Sequence, residues 1–243
     1  MGKISCSKIW QNKNKLCTVS VCKPVHEIFQ IVYERQINEI RLHKIALILK
    51  SKAMKMVAYS LLDFIMIKNT FDPEKAIEAI LYIASKTPIP DLRFICKILY
   101  FADKLHLEKF GRLITGDSYI ALDNGPAPST TLDLLNSLML GIHTEITDSA
   151  RTVFDIDGCG ESALVKTKRD VIFDLFSSSD LYCIDDAIST YGHMDFEAVS
   201  NTSKDKNWHS ADQSGDIQIE TMALNCKDGE LLLQYLINTS RCE

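Results

Sequence analysis

Asp103 and His106 stand three residues apart in a run without Gly or Pro, a spacing that sets two side chains next to each other on a helix. A carboxylate beside an imidazole is the working unit of general base catalysis, with the acid orienting the ring that takes the proton. The same two groups also make a buried hydrogen-bonded pair that ties their helix to the following loop, Thr115-Gly116-Asp117. A hydrolase built on Asp103 and His106 needs a nucleophile, and no Ser or Cys stands in a recognisable elbow turn. Gly111, Gly116 and Gly125 are too widely spaced to cradle a phosphate and are expected in turns that need left-handed backbone. Eight cysteines are scattered without a single Cys-x-x-Cys pair, so neither a metal nor a cofactor is expected and the thiols read as reduced, in a cytoplasmic protein.

The elements that must position these groups are mostly helices. Asp72-Pro73 opens the first, an N-cap followed by a residue pre-organised for the first turn. Thr87-Pro88-Ile89-Pro90 stops it, and a second helix runs from about Asp91 to Phe110 with Gly111 as its stop. On that helix Lys97, Tyr100, Asp103 and Leu107 share a face. Tyr119 to Leu122 predicts a short strand, followed by a turn at Asp123-Asn124-Gly125-Pro126. Ser129 is expected to cap a third helix, with Pro126 and Pro128 fixing its start or presenting a rigid recognition surface together with Asp117 and Tyr119. Residues 152–156 and 163–167 flank a Gly-rich turn and predict a hairpin. Ser177 to Asp180 caps a helix ending at Tyr191-Gly192, a shorter helix begins near Asp195, and Trp208 falls in a polar loop. There it serves either as a partner anchor or as a lid on the core edge. The fold class is therefore mainly α (α+β): a helical domain with a small β-hairpin and short strands.

Charge divides the chain. Residues 1–66 hold eleven Lys/Arg against four Asp/Glu, and residues 67–243 hold sixteen against twenty-eight, summing to the net −5 of the 243-residue chain. The first part reads either as a basic helical extension, accessory to a domain over 67–243, or as sequence upstream of a natural start at Met66. Arg35, Arg41, Lys44, Lys50, Lys52 and Lys55 supply the phosphate contacts that a DNA-binding autoregulator would use. A solvated helix packed on its neighbour explains the same charges. The acidic part lacks clustered cations, and its hairpin carries Asp155, Asp157 and Glu161 where a DNA-gripping wing wants Lys or Arg. Lys50, Lys52 and Lys55 interrupt the most apolar window, 45–67, so no membrane span is expected.

The stretch from Lys97 to Ser129 reads K-I-L-Y-F-A-D-K-L-H-L, then G-R-L-I-T-G-D-S-Y-I-A, then G-P-A-P-S. It resembles the Panacea domain of SocA-like antitoxins, and the resemblance extends over about 71–222. Leu113 stands where the family has proline, Ala127 where valine is common, and Asp123 where an aromatic or basic residue is common. The resemblance implies a bacterial or phage-associated antitoxin and not an enzyme. It neutralises a cognate toxin by direct protein binding, and for some members delivers the toxin to a protease. The residues it singles out, as partner contacts or as marks of the family, are Lys97, Tyr100, Asp103, His106, Gly116, Asp117, Tyr119, Gly125, Pro126, Pro128, Ser129 and Trp208.

Overall fold

The computed structural model describes residues 67, 69–88, 90–158, 160–211 and 215–239. The basic extension read over 1–66, with its candidate phosphate contacts between 35 and 55, lies outside them.

Two helices make the centre. Helix α1, Pro73–Lys86, starts as its cap demands: the Asp72 carboxylate accepts from Lys75 N, and Pro73 takes the first turn. Its apolar residues at 76, 77, 79, 80, 81, 83 and 84 are buried nearly all round, so this is a central helix and not a surface one. Helix α2, Leu92–Phe110, is capped by the Asp91 carboxylate and ends at Gly111 in the left-handed conformation. Both ends were legible because caps act within three residues of themselves.

After α2 come the strands β1, Tyr119–Leu122, and β2, Gly125–Pro128. They pair antiparallel, Tyr119 facing Pro128 and Leu122 facing Gly125. The expected turn is thus shorter than read, only Asp123-Asn124, and Gly125-Pro126-Ala127-Pro128 is a buried strand, not an exposed recognition turn. Two prolines are tolerated because β2 is an edge strand, paired with β1 alone, and both fall on one parity, leaving donors missing from one side alone. Strand β5, Asp216–Ile217, pairs with β1 on its other side.

Helix α3, Ser129–Met139, leads by a short corner into α4, Glu145–Val153. Helix α4 escaped the sequence reading because its capping box uses Thr144 and Thr147 in place of an acid at the third position. The expected hairpin exists as β3, Phe154–Asp157, and β4, Leu164–Thr167. Helix α5, Ser178–Tyr191, carries the Ser177/Asp180 capping box. Helix α6, Phe196–Ser203, is capped by Asp195, and α7, Lys206–His209, by Asp205. Trp208 is therefore helical, not in a loop. Helices α8, Ile219–Leu224, and α9, Gly229–Thr239, close the domain. The fold is mainly α with two small antiparallel sheets, and a single apolar cluster links α1, α2, α5 and both sheets.

Candidate functional site

The residues singled out by the family motif come together inside the domain, around the inner face of α2. Asp103 and His106, neighbours in sequence, part company there. The Asp103 carboxylate accepts from Ile114 N at 2.6 Å and from the Tyr119 hydroxyl at 2.7 Å. The His106 ring sets Nδ1 on the Arg112 carbonyl at 2.8 Å and Nε2 between Ser179 Oγ at 3.0 Å and Asp180 Oδ1 at 3.1 Å. Both side chains are buried. Each ties α2 to a different element, so the orienting bond of a catalytic pair is absent between them.

Burial raises Asp103 to about 6, outweighing the hydrogen bonds from Ile114 and Tyr119 that favour the anion. Between pH 4 and 6 the folded chain then keeps a proton that the unfolded chain releases, and stability falls as pH rises through that window by about 2–3 kcal/mol. Asp103→Asn imitates the neutral acid and is expected to remove this slope from a plot of melting temperature against pH. An unchanged slope would assign the titration to another group.

Asp117 organises the hairpin and α3. Its Oδ1 accepts from Ser118 N and Thr130 N, and its Oδ2 from Thr131 N at 2.8 Å and Thr131 Oγ1 at 2.7 Å. The start of α3 is thus capped from a loop twelve residues upstream of Ser129, while Pro128 occupies the cap position with no side chain to offer. Ser129 itself is the first helical residue and not the cap. Preceding Asp117, Gly116 has φ +69°, and a Cβ there would lie 2.1 Å from the Thr70 carbonyl oxygen. Only glycine lets the two backbones meet.

Lys97 lies buried against β2, where its Nζ donates to the Pro126 carbonyl at 2.7 Å. A buried ammonium on the strand that lacks a neighbour covers an edge carbonyl that no strand can reach. Burial, reinforced by the Lys204 charge, lowers it to about 8. Gly125 is required alongside: at φ +92°, a Cβ would stand 2.3 Å from Ser203 Oγ and 3.2 Å from Lys97 Nζ. Tyr100 completes this face. Its hydroxyl donates to Asp205 Oδ1 at 2.8 Å and accepts from Asn207 at 3.0 Å. The rings of Tyr100 and Tyr119 meet edge-on at 5.3 Å. Trp208, half-buried, donates from Nε1 to the Leu122 carbonyl at 2.8 Å at the far end of the hairpin.

Asp180 forms the other node. Lys75 reaches its Oδ2 at 2.6 Å, Arg112 its Oδ1 at 2.7 Å, and Ser177 N its Oδ2 at 2.9 Å. Burial opposes the anion, yet His106, Lys75 and the Ser177 amide hold this carboxyl well below the usual carboxylate range. Asp180, Lys75, Asp205 and Asn207 carry as much of the network as the motif residues, and the sequence reading missed that role. Their partners lie up to 107 residues away, and a cap or an exposed-looking Lys bears no local mark of such a bond. The thiols of Cys96, Cys183 and Cys226 are free, and burial raises them to about 12, 11 and 11, which keeps them protonated and unreactive. Among the described residues every buried polar side-chain atom has a hydrogen-bond partner, and no helix is long and apolar enough to cross a membrane.

The motif residues are therefore an internal polar scaffold that locks α2 to the β1–β2 hairpin, α3, α5 and α7. No curated protein and no solved structure gives a significant match to the chain. Residues 95–209 match the family model described as antitoxin SocA-like, Panacea domain. The matched span is narrower than the 71–222 read from the motif and lies within it.

Proposed function

We propose that this protein is an antitoxin that neutralises a partner toxin by binding it directly, in the cytoplasm. The match of residues 95–209 to a family of antitoxins carries this reading. The geometry supports it in one respect: Asp103 and His106 are each engaged in holding elements together, which is the role of a binding scaffold. A scaffold of this kind presents its outer surface to the partner, with Trp208 and the hairpin tip at Asp123-Asn124 among the exposed or half-exposed groups. Delivery of the toxin to a protease is the second stage that the family reading brings with it.

The test is co-expression with the protein encoded beside this one. That protein alone is expected to arrest growth, and growth is expected to return when the full chain is made with it, the two co-purifying. Under simple blocking the toxin level stays constant, whereas under delivery it falls. His106→Ala is expected to lower the melting temperature while the protein that stays folded still binds. Unchanged melting and binding with neutralisation abolished would instead assign His106 a catalytic part.

A further inference from the structure

The ten residues between β4 and α5 form a loop that is pinned from beneath and apolar on top. Beneath it, Glu78 of α1 is buried, and its carboxylate grips the Arg169 guanidinium through both nitrogens while Oε2 accepts from Ile172 N at 2.9 Å. One buried acid thus holds both a side chain and the backbone of the loop. Arg169 also donates to the Asp170 carbonyl at 2.8 Å. Val171 and Phe176 pack against the core. Phe176 N bonds back to the Phe173 carbonyl at 2.9 Å, closing a single turn. The Phe173 ring meets the Tyr82 ring edge-on at 5.8 Å, and Tyr82 is itself held by Asp185 at 2.8 Å.

Despite this bracing, Ile172 and Phe173 remain 47% and 53% exposed. A single exposed apolar side chain is ordinary. Two adjacent ones, on a loop whose backbone a buried carboxylate immobilises, form an anchor whose ordering is complete before any partner arrives. The charges around it set the partner's chemistry. Lys86 is paired with Asp185, Lys168 with Asp155 and Arg169 with Glu78. Asp170 and Asp174, which flank the tip and are exposed, form no salt bridge among the described residues, so the field at the tip is negative.

We infer that the Ile172–Phe173 tip is the docking point for the toxin, which meets it with an apolar pocket rimmed by Lys or Arg. This rests on the antitoxin reading and assigns that reading a surface outside the buried motif. The probe is the neighbouring-gene product, titrated against the purified full chain and co-expressed with it. Phe173→Ala is expected to weaken binding by about 30-fold or more, with rescue of growth lost and melting unchanged. Asp170→Asn with Asp174→Asn is expected to slow association by about 10-fold at low salt and to flatten its salt dependence. If Phe173→Ala lowers the melting temperature, the paired aspartate variant decides. Full-strength binding and rescue by both variants would overturn the inference while leaving the antitoxin reading intact. A wild-type chain that neither binds nor rescues would instead overturn the antitoxin reading, and this inference with it. A concentration-dependent dimer of the full chain that Phe173→Ala abolishes would reassign the tip to self-association and overturn the toxin assignment.

Discussion

Replacing Asp117 by alanine is expected to destabilise the domain by about 4 kcal/mol, because four donors lose their acceptor at once. Thr131 N and Thr131 Oγ1 are buried, and no other acceptor stands at the start of α3, where the cap residue is Pro128. The melting temperature should drop by about 8–16 °C for a chain of this size. Asp117→Asn retains one acceptor oxygen and is expected to lose about half as much. Ser129→Ala, by contrast, should change stability by less than about 0.5 kcal/mol, since Ser129 begins the helix without capping it. Thermal melting of the three variants checks the order. A larger loss from Ser129→Ala than from Asp117→Ala would show the cap to be misassigned.

Asp180→Ala is expected to be comparably severe at neutral pH, about 3–5 kcal/mol, as it strands the Lys75 ammonium and the buried His106 ring beside an emptied site. The pH dependence distinguishes this node from Asp103. Because the folded carboxyl titrates below its unfolded value, its contribution is complete above about pH 4 and is lost as pH falls further. The gap between wild type and Asp180→Ala should therefore narrow below about pH 4. Asp103, raised rather than lowered, gives a slope of the opposite sign between about pH 4 and 6. A gap constant down to pH 2 would show that Asp180 acts by shape and not by charge.

Both predictions concern residues whose importance was unevenly visible. Asp117 stood in the motif, yet the helix it caps was credited to Ser129, because a cap is ordinarily sought at the residue just before the helix. Here the acceptor arrives from across the hairpin. Asp180 was read only as part of the Ser177–Asp180 cap, where it closes a capping box with Ser177, but its three cationic or imidazole partners come from α1, α2 and the residue after Gly111. No pattern within one helix indicates that a cap will also be a charge hub.

The local elements followed from the chain alone wherever one turn or one pair of neighbours decides the outcome. Asp72-Pro73, Asp91, Gly111, Ser177 and Asp195 set helix ends by bonds to amides within three residues or by their own backbone preference. The β3–β4 hairpin followed from β-prone runs around a glycine turn. The likeness to the SocA-like Panacea family was legible too, since the motif between Lys97 and Ser129 is contiguous and the family model matches residues 95–209. Tertiary structure decided the rest. Gly125 to Pro128 became a strand because β1 pairs with it and Lys97 covers the Pro126 carbonyl at its edge. The i,i+3 neighbours Asp103 and His106 turned to different partners, Tyr119 and Asp180, brought from 16 and 74 residues away in sequence. A hydrogen bond depends on where two groups lie in space, and for groups on different elements that separation is set by packing, which no local spacing encodes.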